Sequence, residues 1–137
     1  MMNFLLDTNV ISEQRKRNPD KQAKAWADRV SPSSLFLSTL VVGEIRQGIE
    51  RLRSRDPLQA SLLDNWLGQV ETGFGDRILP VTTDIAHEWG RMHARTPLPV
   101  VDGLLAATAK VHGLTLVTRN VADVVRSGAS ILNPFEA

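Results

Sequence analysis

Short apolar runs, each closed by a polar residue, alternate along this chain with longer stretches of helical periodicity. Phe4-Leu5-Leu6 ends at Asp7, Leu35-Phe36-Leu37 at Ser38, and Arg77 to Val81 carries Ile78 and Leu79. Leu114 to Val117 ends at Thr118, and Ala129 to Leu132 ends at Asn133. Runs this short, bounded by turn residues, read as buried strands of a parallel sheet. The segments between them are predicted helices. Asn9 caps one that reaches Gln14, and Asn18-Pro19 opens another to about Arg29, burying Ala23, Trp26, Ala27 and Val30. Thr39 caps a third, Leu40 to about Arg53, whose inward positions are Val41, Val42, Ile45, Ile49 and Leu52. Asp56-Pro57 opens a fourth, with Leu58, Leu62, Leu63, Trp66, Leu67 and Val70 on one stripe. These two are read as a hairpin whose apolar stripe, Trp66 and Leu67 above all, serves either a dimer or partner interface or simple core packing.

A helix starting at Thr82-Thr83-Asp84 carries Ile85, Ala86, Trp89 and Met92, and Thr96-Pro97-Leu98-Pro99 breaks it. Val100 to His112 is the next, with Gly113 as its left-handed cap, and a short one runs from about Val121 to Arg126. Strands alternating with helices predict a parallel sheet covered on both faces, in one α/β domain over residues 1–137.

Composition narrows the chemistry. The chain has 137 residues, 42% hydrophobic and 23% charged, as in ordinary soluble domains. It has no cysteine, which removes disulfides, thiolate zinc sites and cysteine nucleophiles. No apolar run approaches a membrane span, and the N-terminus lacks a secretory pattern, so a cytoplasmic protein away from membranes is expected. Net charge is +1, but residues 1–55 hold ten Lys or Arg against six acids, while residues 56–137 hold six against nine. This asymmetry predicts a cationic side facing an acidic one, or only solvated helix faces.

Three acids fall where strands give way to helices. Asp7 closes the first strand, either as a helix cap or facing the crevice where open α/β sheets bind ligands. Glu44 lies one turn into the helix after the second strand, and Asp102 in the first turn of the helix before the fourth. Converging carboxylates repel one another unless a cation lies between them. Magnesium and manganese prefer such oxygen donors, and bound there they assist phosphodiester hydrolysis. His87, His93 and His112 lack the spacing of a zinc motif.

Five blocks carry a resemblance in addition. Leu6-Asp7-Thr8-Asn9-Val10-Ile11-Ser12-Glu13, Leu37-Ser38 with Gly43-Glu44-Ile45-Arg46-Gln47-Gly48-Ile49, and Asp102-Gly103-Leu104-Leu105-Ala106-Ala107-Thr108-Ala109 are three. Leu116-Val117-Thr118-Arg119-Asn120 and Ile131-Leu132-Asn133-Pro134-Phe135 complete the order. Together they resemble PIN-domain ribonucleases, above all the VapC-like toxins of toxin–antitoxin pairs, from end to end. The resemblance implies a three-layer α/β/α fold around a five-stranded parallel sheet. It implies an endoribonuclease dependent on Mg2+ or Mn2+, with Asp7 and Asp102 on the metal and Glu44 completing the site. It also implies an RNA substrate, a homodimer, and a cognate antitoxin that inserts a segment into the site and joins a larger complex on operator DNA.

Many relatives carry Asp directly after the Thr-Arg pair, where this chain has Asn120; Asp123 is the next acid. Either completes the catalytic set. Asn9 and Thr118 are expected to steady Asp7. Arg15, Lys16, Arg17, Arg46 and Arg119 are candidate phosphate contacts by charge. Two other readings stand beside this one. A haloacid-dehalogenase-like phosphatase needs a second acid at Asn9, and a degenerate PIN domain binds RNA or protein without cleaving.

Overall fold

The computed structural model describes residues 2–136. Its strands are β1 (Phe4–Leu6), β2 (Leu35–Ser38), β3 (Ile78–Leu79), β4 (Thr115–Val117) and β5 (Ile131–Leu132). All pair in parallel, in the order β3-β2-β1-β4-β5. The helices that cover the sheet are α1 (Thr8–Glu13), α2 (Lys21–Arg29), α3 (Thr39–Arg53), α4 (Pro57–Phe74), α5 (Thr83–Arg95), α6 (Val100–His112) and α7 (Val121–Val124). The three-layer α/β/α architecture expected from the sequence is the one observed.

β1 occupies the centre of the sheet, and Phe4, Leu5 and Leu6 are all buried. With neighbours on both edges and helices on both faces, a central parallel strand has no polar face to offer. Each such side chain contributes roughly 1.5–3 kcal/mol through burial. The strand order reverses between β1 and β4. The crevice beyond their carboxyl ends is therefore the switch point where such sheets bind ligands. The backbone N–H of Asp7 extends the pairing by donating to Val117 O at 2.9 Å.

α6 closes this crevice from one side. Its Ala106, Ala107 and Ala109 are fully buried, and their small side chains bring the helix close to the sheet. Thr108 is buried too; its hydroxyl donates to Leu104 O at 2.7 Å, leaving no orphan polar group. Gly113 ends the helix at φ 66°, donating back to Ala109 and Lys110, as its position in the sequence predicts. At the other end, a Cβ on Gly103 would lie 3.1 Å from the Trp89 ring, so glycine lets α5 pack against the turn that carries Asp102.

Several boundaries differ from the sequence expectation. Asp7, not Asn9, caps α1, and Asp20, not Asn18, caps α2. Ser38, not Thr39, caps α3. Each time two adjacent or near residues are capable caps, and packing of the preceding strand or loop chooses between them. The strands expected at residues 77–81 and 129–132 keep only two paired residues each. β3 is an edge strand, consistent with Pro80 following it.

The stripe on α4 is divided. Leu67 is 1% exposed and belongs to the core, whereas Leu58 and Leu62 are 73% and 54% exposed. Leu67 therefore cannot serve as an interface residue, and the free apolar edge lies two turns earlier. Arg46 and Arg53 of α3 both reach Asp64 of α4 at 2.8 Å and also bind Glu50. These guanidiniums, Arg46 first, hold the Asp64 carboxyl down at about 2. The network ties the hairpin together at its surface. It also takes Arg46 out of the set of free phosphate contacts. No helix among the described residues is long and apolar enough to cross a membrane.

Candidate functional site

Asp7 sits at the carboxyl end of β1 and is only 6% exposed. Both of its oxygens accept hydrogen bonds. One accepts from the Thr8 backbone N–H at 2.7 Å, which is the cap of α1. The other accepts from the Thr118 hydroxyl at 2.7 Å and from Asn9 Nδ2 at 3.2 Å. The cap and crevice readings of Asp7 are thus compatible, because each uses a different oxygen. Thr118, at the end of β4 and wholly buried, also accepts from the Asn120 backbone N–H at 3.0 Å. Asn9 Oδ1 in turn accepts from the Arg119 N–H at 3.1 Å. Residues 111 positions apart in the sequence thus fix the direction of one carboxylate.

Glu44 is in the second turn of α3 and half-buried, and it accepts from the Thr8 hydroxyl. Asp102 is in the first turn of α6. Its carboxyl is pushed up to about 6, first by burial and then by the charges of Asp7, Asp123 and Glu44. Four acids from four different helix starts and strand ends therefore share one electrostatic environment. They come from both halves of the chain, so the site does not follow the charge asymmetry of the sequence.

Asp123, in the single turn of α7, acts on Asp102 through its charge. Asn120 donates its backbone N–H to Thr118 Oγ1, and its carbonyl accepts from the Asp123 N–H at 3.1 Å. Asp123 thus supplies the fourth charge, while Asn120 helps to hold the threonine that holds Asp7. Thr8, absent from the sequence-based set, links Asp7 and Glu44 by its backbone and its hydroxyl. Its place directly after a strand-ending acid was the available signal.

The basic candidates fare differently. Lys16 is bound to Glu13 at 2.9 Å, and Arg119 lies over the Phe135 ring at 3.6 Å. Arg17 is exposed, and Arg15 lies 6.0 Å from the centre of the Trp66 ring. His93 stacks on Trp89, with ring centres 4.9 Å apart, and His87 and His112 are exposed.

The donor set suits a hard divalent cation. The groups are carboxylates, and their mutual repulsion is expressed at Asp102. Among the described residues, no three acid or imidazole side chains close on one point as a ready cage.

The sequence profile of the PIN domain matches residues 4–122. The chain is 34% identical over 139 residues to the VapC ribonuclease Y4jK of Sinorhizobium fredii, covering 97% of this chain and 98% of that protein. It is 33% identical to the toxin FitB of Neisseria gonorrhoeae, covering 96% and 98%. The crystal structure of FitAcB from Neisseria gonorrhoeae superposes with a TM-score of 0.90 at 32% identity, over 98% of this chain and 99% of that one.

Proposed function

This chain belongs to the PIN-domain family, and on that premise we propose that it is a metal-dependent endoribonuclease, the toxin of a toxin–antitoxin pair. The observation that carries the reading is that Thr8 bridges Asp7 and Glu44 by its backbone and hydroxyl, and that Asp7, Asp123 and Glu44 all bear on Asp102 by charge. The relatives named VapC ribonuclease and toxin FitB, each matched over nearly its whole length, support the reading. The whole of residues 1–137 then acts as one PIN domain, in the cytoplasm, with RNA as substrate. A cognate antitoxin is its partner, and a homodimer uses the apolar edge at Leu58 and Leu62.

Asp7 and Asp102 hold Mg2+ or Mn2+ in this account. When bound, the cation supplies Lewis acidity and neutralises charge on the phosphodiester. Thr118 and Asn9 keep one Asp7 oxygen aimed at the crevice, since each donates to it. Such supporting bonds commonly change metal affinity or activity by about 10–100-fold. Glu44 and Asp123, whose charges reach Asp102, are in this account the groups that take the proton of an attacking water. Thr8 orients Glu44 by donating its hydroxyl to it.

The test is expression in a bacterial host without a cognate antitoxin. The parent is expected to arrest growth, and Asp7→Asn at matched abundance to relieve the arrest. Equal toxicity of the two proteins would separate toxicity from this site. Mapping cut ends across total RNA after brief expression then identifies the target.

A further inference from the structure

A pocket of about 330 Å3 opens where α1, α3 and α4 meet, directly beside the acids. Thr8 and Glu44 form its inner end, Leu52 and Trp66 line its walls, and Arg15 and Arg55 stand at its rim. Its size is at the lower end of the roughly 300–1,000 Å3 typical of ligand pockets. The sequence builds it by helical spacing. Glu44, Gly48 and Leu52 fall on one stripe of α3, and Arg55 follows in the turn beyond its end. Gly48 leaves the stripe open, since a Cβ there would meet nothing within 4 Å. Trp66 is half-buried, and the guanidinium of Arg15 approaches its ring. Among the described residues, neither Arg15 nor Arg55 forms an ion pair. Arg46 and Arg53, on the same helix as Glu44, are both held by acids.

We propose that this pocket receives one base of single-stranded RNA, stacked on Trp66, next to the phosphodiester placed at the acids. Arg15 and Arg55 then contact the phosphates flanking that base. The proposal rests on the ribonuclease reading and adds a substrate subsite to it. Single-stranded RNA alternates a flat apolar base with an anionic phosphate. The pocket presents the complement, an aromatic and aliphatic interior with two unneutralised cations at its mouth. Continuity with Glu44 and Thr8 fixes the register, because a base seated here lies beside the bond to be cut. The subsite therefore selects where RNA is cleaved, whereas the acids determine that it is cleaved.

The test is binding of a labelled single-stranded RNA oligonucleotide, read by anisotropy with calcium replacing magnesium to hold back turnover. The same oligonucleotide is also made with an abasic ribose at each position in turn. Trp66→Ala is expected to weaken binding of the intact RNA by about 5- to 140-fold, the range of base–aromatic stacking. Trp66→Phe is expected to restore most of the loss. One abasic position is expected to weaken the parent by a similar factor and Trp66→Ala no further. Unchanged binding in a folded Trp66→Ala protein overturns the proposal and leaves the pocket to a protein segment. Equal abasic effects in parent and variant also overturn it. Should Trp66→Ala fail to fold, a flat abasic scan of the parent overturns it, and a scan with one sensitive position that persists in Trp66→Phe supports it. Cleavage with magnesium is measured separately. RNA bound through Trp66 but left uncut would remove the catalytic reading and keep the subsite. RNA cut by a protein with a flat abasic scan would do the reverse.

Discussion

Asp102→Asn is expected to reduce the rate of RNA cleavage by about 1,000-fold while leaving the protein folded. The estimate follows from several kcal/mol of phosphate charge stabilisation carried by the metal, at about 1.36 kcal/mol per factor of ten. Asparagine keeps the shape of Asp102 and removes its charge. The half-buried position then has no anion to hold a cation against the pull of its waters. The substitution also relieves repulsion from Asp7, Asp123 and Glu44, so loss of activity is not expected to come with loss of structure. The measurement is single-turnover cleavage of one defined RNA at high magnesium, with thermal melting as the control for folding. A variant within a few-fold of the parent would remove Asp102 from the metal.

Magnesium is expected to raise the melting temperature of the parent strongly and that of Asp7→Asn weakly. A ligand that binds only the folded state at about 100 times its dissociation constant stabilises by roughly 2.7 kcal/mol. For a domain of this size that is a shift of several degrees. Without metal the two effects of Asp7→Asn oppose each other. It removes one of the charges that crowd Asp102 but turns an amide N–H2 toward donors that Asp7 now accepts from, so it is expected to be no more stable than the parent. The pH dependence has a definite sign. The folded Asp102 carboxyl stands at about 6, above its ordinary 3.8. Between those values the native state binds the extra proton, so stability falls as pH rises through the window. Melting in chelator from pH 4 to 7 is expected to show that fall, and Asp7→Asn to flatten it. Equal magnesium shifts in the two proteins would show that Asp7 holds no metal.

Much of the fold was legible because its elements are marked at both ends. α6 matches its predicted span, Val100 to His112, since Pro99 precedes it and Gly113 can adopt the left-handed conformation that ends it. β1 was readable from three apolar residues and one acid. The caps were less so, because Asp7, Asn9, Ser38 and Thr39 are all competent, and only the register of the preceding strand decides among them. The stripe on α4 was correct as a periodicity and wrong as a burial pattern. Spacing defines a face but not how far along the helix its partner extends, so Leu58 and Leu62 are exposed while Ala60 is buried.

At the site, the sequence placed the acids at element ends. It did not pair them with their supports. The bond from Thr118 to Asp7 depends on β4 lying beside β1, a neighbour relation that spans most of the chain. Sequence does not separate Asn120 from Asp123 either, since only their positions in space show that one donates its backbone N–H to Thr118 and the other bears on Asp102 by charge. Nothing in the sequence sets Arg55 apart from the other cations around the end of α3. Among the described residues it forms no ion pair, whereas Arg46 and Arg53 are held by Glu50 and Asp64.

Carboxylates that work on RNA through a divalent cation make cleavage depend on that cation. With the purified chain, freed of any partner, and a defined RNA, cleavage is expected to rise across a magnesium or manganese titration, stop with excess chelator and return when metal is restored. Cleavage that continued unchanged in excess chelator would contradict that dependence.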